Sequence, residues 1–368
     1  MAPLLPLFYL LAAVIWLARS RQAFEALRRN PEVQALPEPP SEGPLVSILL
    51  PVKNEEVNVE ACLQTLLRQN YPAKEIIVIN DHSVDRTAEI LSRYAERYPK
   101  EIRVMEAPPT PSGWTGKNWA LAQGVRLARG EWFLFTDADT RHEPWSLASA
   151  LSHARAKQID LLTLSPRCLA ERFWEKTLQP AAMAYTGLCF PFYKVNDLSS
   201  PLNFGNGQYL LIRKEAYLGI GGHEKVKEAY LEDFALVGEA KRAGVRIECA
   251  IGTKIYGTRM YRSLEGIWAG WRRIFFHAFE KNPYVLLGKA ALMFLFSCLP
   301  FLYLPLLAGI SLPWVTLGLI LATLWKTHEL LGSPRAYVFL HPLAGLVLTG
   351  ILTDAAWVAF QKKELKWR

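Results

Sequence analysis

From residue 290 to residue 360 the sequence is almost wholly apolar, and no other feature limits the fold so strongly. Three segments can be drawn in it, 290–308, 312–325 and 336–360, each a candidate to cross a bilayer. Pro300, Pro305 and Pro313 interrupt the stretch; membrane helices tolerate proline, but the middle segment is short. If all three span, the basic tail QKKELKWR lies outside, against the usual excess of cations on the cytosolic side. One segment is therefore expected to be re-entrant or interfacial, and the 282–368 region counts as two or three membrane helices. A shorter uncharged run, 4–18, lies near the other end. No cationic region precedes it and no small-residue cleavage site follows, so an anchor over 1–20 is favoured over a removed signal peptide. Arg19, Arg21, Arg28 and Arg29 come after it and hold the next segment in the cytosol.

Composition matters here through its unevenness. Apolar residues make up 51% of the 368 and Trp occurs 12 times, but the excess sits at the two ends. The middle alternates charged and apolar residues as a soluble domain does. The net charge of +8 comes largely from Lys and Arg beside the apolar ends, Lys362, Lys363, Lys366 and Arg368 among them. Cations placed there meet anionic headgroups, and no basic nucleic-acid motif occurs elsewhere, so the partner is a bilayer and no nucleic acid is expected. The five cysteines, Cys62, Cys168, Cys189, Cys249 and Cys298, lack CxxC spacing and read as reduced thiols, with neither a disulfide frame nor a zinc site. An integral protein of the inner or plasma membrane, with its soluble part cytosolic, is the expectation.

A linker, 21–44, rich in proline (Pro37, Pro39, Pro40, Pro44) leads into the middle. Strand 45–52, helix 57–69, strand 75–80, helix 85–98, a short strand near Val104, helix 117–128 and strand 132–136 then alternate. That alternation predicts an α/β domain over 45–281 with a mostly parallel sheet covered on both faces. Ligands of such sheets bind at the carboxyl ends of the strands. Those ends are acidic: Pro51-Val-Lys-Asn-Glu55-Glu, Asn80-Asp81-His-Ser-Val-Asp85 and Asp137-Ala-Asp139. Any one cluster is explained by solvation, but three at one edge repel unless a cation or ligand donors lie among them. Asp-x-Asp after a hydrophobic strand offers hard oxygen ligands for Mg²⁺ or Mn²⁺ on a diphosphate. There is no GxGxxG after the first strand and no GxxxxGK[ST], which removes the dinucleotide and P-loop readings.

VSILLPVKNEE, IIVINDHSVDRT and GKNWALAQGVRLARGEWFLFTDADT together resemble the nucleotide-sugar half of family 2 glycosyltransferases, which have the GT-A fold. NFGNGQYLLIRKEAYLGIGGHE and LEDFALVGEAKRAG resemble their acceptor half, so that the likeness runs over roughly 45–261. The placement of GWTGKNWA and the membrane layout are most similar to hopanoid-associated and carotenoid glycosyltransferases. The resemblance implies Pro51, Glu55 and Asp81 at the donor nucleoside, Asp81 reading uracil, and Asp137 near the ribose. It implies Asp139, with Asp137, at the metal, and Asp233 as the base that deprotonates an acceptor hydroxyl. Lys117 matches a basic position near the nucleotide, although a lysine opening a helix is equally a surface residue. Asp233 also stands where acids commonly cap a helix. One carboxylate base without a partner nucleophile implies inversion at the anomeric carbon. Asn206, Gly207, Glu232, Trp268 and Trp271 fall on the acceptor side.

Two departures are informative. Asn80 replaces an aspartate of many relatives. Where polymerising relatives carry Gln-x-x-Arg-Trp, this chain has Trp268-Ala-Gly-Trp271-Arg272-Arg273. Arg272 or Arg273 could still stabilise a departing diphosphate, but transfer of one sugar to a lipid-like acceptor is favoured over a processive polysaccharide synthase. A non-catalytic scaffold would be expected to have lost the DxD acids or Asp233, and all are present. The segment 263–279 has aromatic and basic residues at helical spacing and reads as an interfacial helix, the alternative being a core helix. Phe173, Trp174, Phe190, Phe192 and Tyr193 line an apolar acceptor entrance or belong to ordinary core.

Overall fold

The computed structural model describes residues 4–38, 41–303 and 311–365. Pro39, Pro40, Pro305, Lys366 and Arg368, invoked above, lie outside them. The elements begin with helix α1 (Leu4–Arg29), β1 (Val46–Val52), α2 (Val59–Leu67), β2 (Lys74–Asn80), α3 (Thr87–Arg97) and β3 (Ile102–Glu106). There follow α4 (Gly116–Leu127), β4 (Trp132–Phe135), β5 (Thr140–His142), α5 (Ser146–Ala156), β6 (Leu161–Ser165) and β7 (Arg167–Cys168). Next come α6 (Phe173–Cys189), α7 (Phe192–Val195), β8 (Leu210–Arg213), α8 (Lys214–Gly219), α9 (Gly222–Lys225) and α10 (Glu232–Arg242). The remainder are β9 (Ile247–Ile251), β10 (Tyr256–Thr258), α11 (Leu264–Ala278), α12 (Pro283–Met293), α13 (Leu299–Leu302), α14 (Ser311–Leu330) and α15 (His341–Phe360).

Two compact units result. An α/β unit comprises Asn30–Arg167 and Phe192–Arg259; a helical unit comprises Met1–Arg29, Cys168–Pro191 and Met260–Arg368. The units cut across the 45–281 interval drawn from sequence, because α6 and α11 pack with terminal helices rather than with the sheet.

The α/β unit is built on a seven-stranded sheet of order β3-β2-β1-β4-β8-β6-β9. The pairs β1–β2, β1–β4, β2–β3 and β6–β9 are parallel, and β8 is antiparallel to both its neighbours. Successive strand side chains point to opposite faces. Ile48 and Leu50 therefore join a core with α2, α3 and α5, while Leu49 and Ile79 join one with α4 and α10. Burial on both faces explains strands such as KEIIVIN, whose central residues are uniformly apolar. The mostly parallel α/β sheet expected from the alternation is what forms. The chain leaves β1 for β2 and β3 on one side and returns to β4 on the other, which puts a topological switch point at the carboxyl ends of β1 and β4.

In the helical unit α1 does not stop at the apolar run. It continues to Arg29 through the first part of what sequence assigned to the linker, since neither proline nor glycine occurs between Arg19 and Pro31. Among the described residues two helical stretches are long and apolar enough to cross a membrane, Pro283–Leu302 and Arg335–Phe360. The first contains a π-helical turn, Phe294–Cys298, just ahead of Pro300. Proline has no N–H to give the carbonyl four residues back, that of Phe296. The indole of Trp16 donates to that carbonyl at 2.7 Å, so α1 satisfies the group that the proline orphans. On α11, Ile267, Trp271, Phe275 and Phe276 are buried against α6 and α15. Trp271 Nε1 donates to Gln179 at 2.7 Å, and Trp268 Nε1 and Arg272 Nη1 both donate to Asp354 of α15, at 2.7 and 2.9 Å. All five cysteines are free.

Candidate active site

The site forms where β4 ends. Thr136 keeps the strand geometry for one more residue, donating its N–H to Leu49 and its hydroxyl to the Gln208 carbonyl. The chain then turns tightly, with the Thr140 hydroxyl on the Asp137 carbonyl at 2.7 Å. Ala138 faces inward, and Asp137 and Asp139 are left half-buried on the turn. One oxygen of Asp139 accepts from Gln208 Nε2 at 3.3 Å; the other is buried with no hydrogen-bond partner. Burial, reinforced by the charges of Asp137 and Glu55, raises the Asp139 carboxyl to about 7 against the opposing pull of Lys117 and Thr258.

Lys117 sits in the first turn of α4, which Thr115 caps by accepting the Asn118 N–H. Its Nζ lies 2.8 Å from Asp137 Oδ1 and 2.7 Å from Glu232 Oε1. Burial pulls its pKa down, but Asp137, Glu232 and Asp233 outweigh that and hold it well above the usual lysine range. The ammonium stays charged.

Glu232 and Asp233 open α10. Asp233 Oδ1 accepts the N–H of Phe234 at 2.9 Å, a helix-start bond, while Oδ2 reaches out to the N–H of Gly207 at 2.7 Å. Leu231 is the N-cap residue and supplies no side-chain cap, so Asp233 stands in the first turn with one oxygen on the next amide and the other turned to Gly207. Burial and the neighbouring Glu232 charge push Asp233 up to about 7, with Lys117 and the two amides pulling the other way. A Cβ on Gly207 would stand 3.1 Å from Glu232 Oε1, 3.2 Å from Lys117 Nζ and 3.5 Å from Asp233 Oδ2. A side chain there would crowd the point where the three groups converge. Pro51, Lys117, Asp137, Gly207, Glu232 and Asp233 accordingly line one cleft.

The other residues singled out from sequence fall around it or elsewhere. Asp81 is buried at the end of β2, its Oδ2 3.0 Å from Lys53 Nζ and packed against Gly116 at the start of α4. Glu55 accepts from Asn58 Nδ2 at 2.9 Å and adds to the field on Asp139. Asn206 directs its amide to the Leu164 carbonyl, and Asn80 binds Glu106 and Ser83 rather than facing the cleft. Trp268, Trp271, Arg272 and Arg273 belong to α11 in the helical unit. Of the aromatic residues, Phe192 packs on Phe204, which packs on Phe234 next to Asp233. Two participants escaped the sequence, Lys53 on Asp81 and Gln208 on Asp139, while His223, from the run that resembles the acceptor half, lines the cleft wall. His223 is buried with Nδ1 2.8 Å from the Tyr217 hydroxyl, and burial together with the Lys117 charge pushes it down to about 3, leaving a neutral ring. Position gave a hint only for Gln208, which directly follows Asn206-Gly207.

The donor set suits a divalent cation. Two carboxylates on one turn, one with an unpartnered buried oxygen and a raised proton affinity, match an ion that takes few protein ligands and completes its shell with phosphate and water. Among the described residues no group of three acid, His or Cys side chains could hold an ion by itself.

Known proteins resemble this chain in sequence and in fold. The profile of glycosyl transferase family 2 matches residues 47–219. A 4,4'-diaponeurosporenoate glycosyltransferase of Staphylococcus aureus (strain USA300) is 26% identical over 231 residues, covering 62% of this chain. The chain spans 60% of the length of that relative. The mannosyltransferase PcManGT from Pyrobaculum calidifontis, solved with GDP-Man and Mn²⁺, shares the fold with a TM-score of 0.58. It is 19% identical, with 97% of this chain and 96% of that one covered. The chain is therefore similar to the family 2 glycosyltransferases, and among them to the carotenoid glycosyltransferases, and shares their fold.

Proposed function

We propose that the protein moves one sugar from a nucleotide sugar, with uridine as the preferred nucleotide, to a hydroxyl or carboxyl group of a lipid-like acceptor, with inversion, at the cytosolic face of a membrane. The observation that carries this reading is the convergence of Asp137, Lys117, Glu232 and Asp233, from elements far apart in the chain, on one cleft at the switch point. The two apolar helical stretches and the acceptor in the relative's name support the membrane and the lipid.

In the step itself, Asp233 takes the proton of the acceptor hydroxyl through Oδ2 as that oxygen attacks the anomeric carbon. The bond from that carbon to the diphosphate breaks, and the nucleoside diphosphate leaves with the electron pair. A carboxylate acceptor is already ionised and asks of Asp233 only orientation. Asp137 and Asp139 would hold Mg²⁺ or Mn²⁺, which neutralises charge on the leaving diphosphate. Pro51, Glu55 and Asp81 are assigned to the nucleoside, and Asn206 and Gly207 to the acceptor side. The experiment is transfer of radiolabelled sugar from UDP-sugars and GDP-sugars into a membrane lipid extract. Asp139→Asn and Asp233→Asn should abolish it while melting cooperatively; full activity in both refutes the assignment.

A further inference from the structure

We propose that Lys117 is a positioning residue for transfer: by bridging Asp137 and Glu232 it fixes the first turn of α10, and with it the Asp233 carboxylate, at a set place relative to the donor-side acids. The inference rests on the transferase reading above. Its basis is the first turn of α4, where two consecutive side chains both reach the segment that leads into α10. Lys117 Nζ holds Glu232 at 2.7 Å. Asn118 Nδ2 holds the carbonyls of Val226, Lys227 and Ala229 at 2.8, 3.1 and 3.0 Å, and the Thr115 N–H adds the Lys227 carbonyl at 2.8 Å. The α4 turn is thus a clamp on the strip 226–232, and Lys117 is its last contact before Asp233.

The electrostatics require the bridge. Glu232 and Asp233 are adjacent acids in a space closed to most water, and like charges so placed repel strongly. The ammonium lies beside both, at the point that the missing Gly207 side chain leaves open. Without it, Glu232 is left with an unpaired oxygen and the turn carrying Asp233 has reason to move. Catalysis is sensitive to such shifts: a misplacement of about 1 Å can cost about 100-fold in rate. The alternative is that Lys117 is a ligand of the donor diphosphate. Two of its three ammonium protons already point at carboxylates, which favours positioning.

The two roles separate in kinetics. UDP-glucose or GDP-mannose, whichever the wild type uses, serves as donor with the lipid extract as acceptor, and binding of the same donor with Mn²⁺ is followed by calorimetry. Lys117→Met should lower turnover by about 100-fold or more and weaken donor binding by less than about threefold. Lys117→Arg should return turnover to within about tenfold of wild type, and Glu232→Gln should lose about as much as Lys117→Met. The Lys117→Met/Glu232→Gln double variant should be no worse than the poorer single one, as expected of residues acting as a unit. Donor binding that weakens as much as turnover, or additive losses, overturns the proposal. Should Lys117→Met fail to fold, Lys117→Arg and Glu232→Gln decide the matter by the same split. A wild type without turnover overturns this inference and the transferase reading together, whereas an active wild type with unimpaired Lys117→Met overturns this inference alone.

Discussion

Glu75 and Asp139 lie toward opposite ends of the same sheet in the α/β unit, both screened from water, and their proton affinities move in opposite directions. Glu75, near the start of β2, accepts from the Ser47 hydroxyl at 2.6 Å, the Arg129 N–H at 2.8 Å and the Arg129 and Arg103 guanidinium groups at 2.9 Å. Burial pushes it up, but these donors outweigh burial and hold it below the usual carboxylate range. Asp139, past the end of β4, has one 3.3 Å contact and an unpartnered oxygen, and is raised to about 7. Burial alone does not tell a structural acid from a functional one. The supply of donors does: an acid left short of them in a cleft is waiting for a cation, a proton or a ligand.

The comparison breaks most directly in kinetics. Asp233→Asn, in the cleft, should lower turnover by about 1000-fold with the donor KM within about threefold, the range expected for loss of a general base. Glu75→Gln should leave turnover within about twofold. If Glu75→Gln is as damaging as Asp233→Asn, donor supply does not sort these acids by role.

Stability should sort them with opposite signs. Glu75→Gln removes charge-assisted bonds and should cost about 2 kcal/mol, read as a lower melting temperature at pH 7. Its pKa is lowered in the folded state, so its contribution is present above the unfolded carboxylate value and fades as pH falls through the lowered one. For Asp139 the folded value, about 7, lies above the unfolded 3.8. The unfolded chain then releases its proton first, and stability falls as pH rises from about 4 to about 7. Asp139→Asn should therefore melt higher than wild type at pH 8 in chelator; an equal or lower melting temperature contradicts the raised affinity.

Much of this was readable in advance, and the part that was not has a common cause. The strands were legible because Ile76, Ile77, Val78 and Ile79 form an apolar run between turn residues, and the acids because they follow such runs. Helix α1 was cut short from sequence because Arg19 to Arg29 resemble a polar linker, although arginine, glutamine and glutamate favour helix. Which partner each acid has was not legible. Lys117 meets Glu232, Gln208 meets Asp139 and Lys53 meets Asp81 only after the sheet has ordered its strands, and spacing along the chain holds no record of that.

The pH dependence sharpens the same contrast at smaller amplitude. A base works only when deprotonated, and the Asp233 carboxyl is raised to about 7. With a hydroxyl acceptor, turnover should rise through pH 7 and fall about tenfold for each unit below it. An ordinary carboxylate would place that limb near 4. A limb near 4, or a flat profile from pH 5 to 8, removes Asp233 as the base or shows a carboxylate acceptor.

Asp354 extends the comparison to the helical unit, where the smallest effects are expected. It lies in an apolar stretch long enough to span a membrane, yet it is supplied with donors like Glu75, from Trp268 and Arg272. An ionisable group within so apolar a stretch persists only when paired. If the pair is structural, Arg272→Ala and Asp354→Asn should each cost about 1 kcal/mol in stability and lower turnover less than about threefold. A loss of turnover with Arg272→Ala well beyond that of Asp354→Asn would show a role for the arginine outside this pair. Equal kinetic effects from the two substitutions would put Arg272 beside Glu75's arginines, as a donor that satisfies an acid and takes no part in transfer.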